Sequence, residues 1–96
     1  MTVRQYWVVY DISEDRERAR AERCLLRYGQ RIQKSVFCCV LNTPRRMRLQ
    51  GELEALGCQS GSIIMVALAD PSEAMRFGQA GAALHEDWAF VYTDPP

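Results

Sequence analysis

Five consecutive aromatic and β-branched residues, Tyr6-Trp7-Val8-Val9-Tyr10, run without a polar break and stop at Asp11. Side chains of this kind fit a pleated, buried surface, so residues 4–11 are read as a central strand. The chain then changes character. Ser13 is placed to cap a helix whose first turn carries Glu14 and Asp15, which suit the positive end of the helix dipole. Ala21, Cys24, Leu25 and Tyr28 recur at i, i+3, i+4, i+7 and give this helix one apolar face. Gly29 is its expected C-cap.

A second period of the same kind follows. Residues 30–41, with Ile32, Val36, Phe37, Val40 and Leu41, read as strand; Lys34-Ser35 is either a bend or a tight turn between two short strands. Thr43 and Pro44 open a second helix with Leu49, Leu53 and Leu56 as its inner stripe, and Gly57 ends it. Ser62 to Ala69 is a further strand. Residues 70–84 read as a short helix or an irregular loop, and Trp88 to Tyr92 as a final short strand. The order β-α-β-β-α-β suits an α+β sandwich with both helices on one sheet face, and a ferredoxin-like fold is the expected architecture, with an additional C-terminal strand. All 96 residues then form one domain, with a core at 1–69 and a C-terminal extension at 70–96. Two helices leave the second face of the sheet bare, which predicts a homodimer.

The longest apolar run, Ile63 to Ala69, is seven residues, against about 20 for a membrane-spanning helix. The N-terminal apolar stretch is too short for a secretory signal, so the expected location is the cytoplasm. Cys24, Cys38, Cys39 and Cys58 contain no C-x-x-C pair, and His85 is the sole imidazole. That pattern argues against a zinc site, a disulfide framework and a Ser or Cys triad, and for reduced, buried thiols. Gly57-Cys58-Gln59-Ser60-Gly61-Ser62 lacks the lysine of a phosphate-binding P-loop.

Net charge is zero, yet residues 1–48 carry eleven basic and five acidic side chains and residues 49–96 one basic and seven acidic. Eleven of the twelve cations are arginine, whose planar fork matches a phosphate. Arg16, Arg20, Arg23 and Arg27 fall within about 60° of one another around the first helix. Two readings stand for that stripe: a ridge that tracks nucleic-acid phosphates, or a solvated face shared with Glu17 and Glu22. Arg45, Arg46 and Arg48 crowd the start of the second helix, where positive charge opposes the dipole and a bound phosphate would reverse the effect. Asp11, at the end of the central strand, either helps to cap the following helix or holds a hard cation such as Mg²⁺. One carboxylate is a poor metal site; two, brought together across a dimer axis, are a better one.

The segments Val8-Val9-Tyr10-Asp11-Ile12-Ser13 and Gly29-Gln30-Arg31-Ile32-Gln33-Lys34-Ser35-Val36-Phe37 carry a resemblance. The chain resembles the CRISPR-associated protein two family, the small subunit of the spacer-acquisition complex, strongly over residues 6–41. The resemblance implies a ferredoxin-like homodimer in which the Asp11 carboxylates of both subunits share a divalent metal. It implies metal-dependent endonuclease activity on single-stranded RNA or duplex DNA, with Tyr10, Asp11, Arg18, Arg20, Arg31 and Phe37 tied to that activity; in the mechanism that follows, Ser35 is expected to hydrogen-bond the backbone, and Phe37 also reads as a core aromatic. It further implies that the dimer bridges the CRISPR integrase subunits and supports duplex DNA, and that Trp88 to Tyr92 pairs with the partner's sheet. The alternative is a stand-alone endoribonuclease similar to the toxin ribonucleases of the virulence-associated D type.

Overall fold

The computed structural model describes residues 2–75 and 77–78. In chain order they form β1 (Val3–Ile12), α1 (Asp15–Leu26), β2 (Gly29–Gln33), β3 (Val36–Asn42), α2 (Thr43–Ala55) and β4 (Gly61–Leu68), followed by a 3-10 turn at Pro71–Glu73. The strands make one antiparallel sheet in the order β2-β3-β1-β4. This is the ferredoxin-like α+β arrangement. The strand expected at 88–92 lies outside the described residues.

Burial along β1 explains the layering. Tyr6, Val8, Tyr10 and Ile12 are buried and face the helices, where Phe37, Cys39 and Leu41 of β3 join them. Ala21, Cys24 and Leu25 of α1 and Leu49 of α2 close that core from above. The opposite face holds a smaller cluster of Ile32 and Cys38 with Trp7 and Val36 packed against it. Beyond that cluster the helix-free face stays open: Val9, Ile64 and Val66 are 38%, 57% and 45% exposed. The thiols of Cys24, Cys38 and Cys39 are free and buried, and Cys58 is free and half-buried. Burial pushes Cys38 up to about 11 and Cys39 up to about 12.

Several element ends differ from expectation, each for a local reason. Glu14, not Ser13, caps α1: its carboxylate accepts from the Arg16 and Glu17 N–H groups at 3.1 and 2.9 Å. Ser13 instead donates its hydroxyl to the Ser60 carbonyl at 3.1 Å. The helix stops at Leu26 with Arg27 as its C-cap, and Gly29 opens β2 rather than ending α1. A Cβ on Gly29 would collide with the Cys38 carbonyl oxygen, so the tight approach of β2 to β3 requires the glycine. Asn42, not Thr43, caps α2 by accepting from the Arg45 N–H at 2.9 Å. Lys34-Ser35 is a turn between two strands, and a bulge lies between Arg31 and Gln33.

Candidate nucleic-acid and metal site

Strand alternation separates Tyr10 from Asp11. Tyr10 faces the helix layer, and Asp11 faces the open side of the sheet, where it is exposed. Asp11 pairs in register with Ser62 of β4, which brings the Ser62 hydroxyl-bearing side chain to the same face. At this end the two backbones run very close: a Cβ on Gly61 would collide with the Asp11 carbonyl oxygen. Among the described residues no hydrogen bond or ion pair engages the Asp11 carboxylate, so it does not cap α1. Its oxygens are available and of the type a hard cation takes. No group of three or more potential metal ligands occurs among the described residues. Among the described residues Asp11 is thus not part of a group of three or more such ligands.

Beneath α1 the sequence places a second constellation. The Tyr10 hydroxyl donates to Glu22 Oε2 at 2.6 Å and lies 3.2 Å from the Lys34 carbonyl. Arg31 Nη1 donates to that carbonyl at 2.5 Å and to the Tyr10 oxygen at 3.5 Å, and Arg31 Nη2 is 3.4 Å from Glu22. The Arg31 guanidinium also lies 5.1 Å over the Phe37 ring. Burial, then the hydrogen bond to Glu22, pushes the Tyr10 phenol up to about 12. The same hydrogen bond, helped by Arg31, lowers the Glu22 carboxyl. Phe37 is fully buried and Tyr10 is 3% exposed, so both side chains pack inside the helix layer rather than on a surface that a nucleic acid touches.

Arg18 stands at the junction of the two faces. Its Nη1 donates to the Ile12 carbonyl at 2.9 Å, and its Nη2 pairs with Asp15. Arg20 projects from the outer surface of α1. The six residues that the resemblance ties to activity thus do not converge: Asp11 is on the open face, Tyr10, Arg31 and Phe37 are under α1, Arg18 braces the end of β1, and Arg20 is outside.

The arginine stripe divides as well. The guanidinium groups of Arg16, Arg20 and Arg23 make no hydrogen bond or ion pair among the described residues, whereas Arg27 pairs with Glu52 of α2. Glu52 also accepts from the Tyr28 hydroxyl and faces the Cys24 thiol at 3.6 Å. The Tyr28 bond, with Arg27 adding to it, lowers the Glu52 carboxyl. Arg20, Arg23, Arg27 and Glu52 line a shallow cleft of about 290 Å³ between the helices. Arg45 lies 4.9 Å over the Tyr28 ring and Arg46 Nη1 donates to Gln50 at 3.1 Å. At the α2 start Asn42 takes the Arg45 N–H, and two of the three arginines have a partner within the chain. Arg48 is exposed.

Two carboxylates that the sequence places only as neighbours of the arginine stripe on a solvated face have specific partners. Glu22 stands at i, i+3 from the buried Leu25, at the border of the apolar face, and turns to Tyr10 and Arg31. Glu17 accepts from the Ser60 hydroxyl at 2.6 Å, the Ser60 N–H at 2.9 Å and the Gln59 N–H at 3.1 Å, tying α1 to the loop before β4. Its loop partner is more than forty residues away in the chain and left no local trace.

The family model for CRISPR associated protein Cas2 matches residues 4–76, which include both constellations. The chain belongs to the Cas2 family. It is 34% identical over 87 residues to the CRISPR-associated endoribonuclease Cas2 of Thermus thermophilus, covering 88% of this chain and 93% of that one. Among solved structures, the hypothetical protein TT1823 from Thermus thermophilus superposes with a TM-score of 0.69 at 30% identity, over 81% of this chain and 96% of that one. A chain of a partial Cas6-RT-Cas1–Cas2 complex superposes with a TM-score of 0.65 at 26% identity, over 82% and 91% of the two chains. The four-stranded antiparallel sheet with two helices matches the Cas2 structures. No helix among the described residues is long and apolar enough to cross a membrane.

Proposed function

We propose that this chain is an adaptation subunit of a CRISPR system. As a homodimer it binds duplex DNA, joins an integrase, and cuts phosphodiesters weakly at a centre built on Asp11. The observation that carries the reading is the unengaged Asp11 carboxylate at the end of β1, on the same open face as exposed Val9, Ile64 and Val66. A second copy laid on that face would cover the apolar side chains and supply the second carboxylate. The Thermus relative is named an endoribonuclease, which supports phosphodiester cutting, and the Cas1–Cas2 complex supports an integrase partner.

Asp11 of both copies would hold Mg²⁺ or another divalent cation. Such an ion, when bound, polarises a phosphoryl oxygen and lowers the pKa of a water at neutral pH. Arg16, Arg20 and Arg23 would meet successive backbone phosphates along the outside of α1, and the exposed Arg48 would add to them. Arg18 closes the end of β1 and so holds the backbone on which Asp11 stands. Tyr10, Arg31 and Phe37 shape this end of the sheet from beneath.

The test compares the protein with Asp11→Ala on labelled single-stranded RNA and duplex DNA, with Mg²⁺ and with chelator. Metal-dependent cutting that the variant lacks is expected. Equal behaviour of the two proteins would overturn an Asp11-centred nuclease, and salt-sensitive duplex binding by both would leave the scaffold alone. The endoribonuclease name of the Thermus relative favours one second reading, a stand-alone ribonuclease. Cutting of RNA without measurable duplex binding would select it.

A further inference from the structure

Among the described residues, Glu22 is the one acidic side chain in contact with both Tyr10 and Arg31. Proton accounting shows how the group is ordered. A tyrosine hydroxyl has one proton, and the 2.6 Å contact to Glu22 takes it in preference to the 3.2 Å contact with the Lys34 carbonyl. The Lys34 carbonyl is then satisfied by Arg31 at 2.5 Å. Arg31 is held in turn by Glu22 at 3.4 Å and by its position over Phe37. The Glu22 side chain is 27% exposed and that of Arg31 35%, so this is a half-buried, charge-assisted network rather than a surface ion pair.

The network ends at the β2–β3 turn, and the turn is bonded to β1 at Tyr10, next to Asp11. The Ser35 carbonyl accepts from the Tyr10 N–H at 3.1 Å, one residue before Asp11. The Lys34 carbonyl is thus held by the Arg31 side chain, which also reaches the Tyr10 oxygen, and the Ser35 carbonyl is held directly by the β1 backbone. Loss of the Glu22 carboxylate takes one partner from Arg31 and one from the Tyr10 hydroxyl at once, and leaves Arg31 held only by the Lys34 carbonyl, the Tyr10 oxygen and the Phe37 ring.

We propose that Glu22 is a positioning residue for Asp11, acting through Arg31 and the Lys34–Ser35 turn. The proposal rests on the reading of Asp11 as the centre of cleavage. Glu22→Gln keeps the shape and an acceptor for Tyr10 but removes the charge that holds Arg31; Glu22→Ala removes both. At a temperature where every variant is folded, Glu22→Gln is expected to lower kcat by about tenfold, the scale of losing a supporting contact at a site, with KM and duplex affinity unchanged. Glu22→Ala is expected to lower kcat further, and adding Tyr10→Phe to it should cost less than the two separate losses combined, because the residues act as one unit. Amide exchange of a peptide spanning residues 33–37 should quicken in both Glu22 variants.

Three results separate the possibilities. Normal kcat in Glu22→Gln while Asp11→Ala is inactive would overturn the proposal and leave the cleavage reading standing. A lowered kcat with unchanged exchange at 33–37 would overturn the route through the turn. Indistinguishable wild type and Asp11→Ala would remove the cleavage reading, and the role proposed for Glu22 with it.

Discussion

The Tyr10 phenol is held neutral by its surroundings. Its pKa rises from 10.0 to about 12 in the folded protein, chiefly through burial and secondarily through the bond to Glu22. The unfolded chain therefore releases the proton first as pH rises. The stabilisation from this group is complete below about 10 and is lost as pH climbs through about 12, which chemical denaturation at a series of alkaline pH values will show as a falling midpoint. Tyr10→Phe should flatten part of that fall. Phe37→Ala belongs to the same scale: a fully buried ring removed from this core should cost about 3–5 kcal/mol in equilibrium unfolding. Asp11→Ala, on an exposed carboxylate without partners among the described residues, should leave the unfolding midpoint nearly unchanged. At this scale the sequence was informative about Asp11, because a polar residue closing an apolar run has a local signature. It places Glu22 only on a solvated face beside the arginine stripe, because what decides its surroundings is a tyrosine twelve residues earlier and an arginine on another strand.

Elements were easier to read than their ends. The apolar period of α1 and the leucine stripe of α2 are local properties, and both helices lie where the pattern puts them. The caps were not readable, since Ser13 and Glu14 are both competent and the choice between them depends on Ser60, far away in sequence, whose hydroxyl accepts from the Glu14 N–H and donates to Glu17. Gly29 misled for a related reason: a glycine after a helix looks like a cap until the close approach of β3 is known. The α1–loop tie itself is testable. Glu17 is lowered from 4.5, first by the Ser60 hydroxyl and then by the Ser60 and Gln59 N–H groups, so its stabilisation is present above about 4.5 and is lost as pH falls through the lower folded value. Glu17→Gln should lower the melting temperature at neutral pH and reduce the difference between neutral and acid melts. Asn42→Ala, which removes the α2 cap, should cost about 1 kcal/mol in urea titration.

At the scale of the molecule, the arginines crowded into residues 1–48 divide into a set on α1, Arg16, Arg20 and Arg23, whose guanidinium groups make no hydrogen bond or ion pair among the described residues, and a set, Arg27, Arg31 and Arg45, held by Glu52, Glu22 and Tyr28. Composition cannot make that division, because every arginine counts alike until the helices are packed. The two sets should behave differently. Replacing Arg16, Arg20 and Arg23 by Gln should reduce the slope of log affinity for duplex DNA against log salt by about three, with little change in melting temperature. Arg27→Gln should instead lower the melting temperature by freeing Glu52, and change the salt slope less.

The adjacency of Tyr10 and Asp11 has one more consequence. Along an extended chain a neighbour in sequence is a stranger in space, and these two side chains answer to different layers of the protein. Their order works as an address. Exchanging the two residues would keep composition, charge and local strand preference intact, yet it would deliver a carboxylate into the core and leave the phenol outdoors. A chain with these two residues exchanged should therefore fold poorly, and an insertion or deletion of one residue within β1 should be more damaging than the loss of any single apolar side chain, because it turns a whole run of side chains to the wrong face.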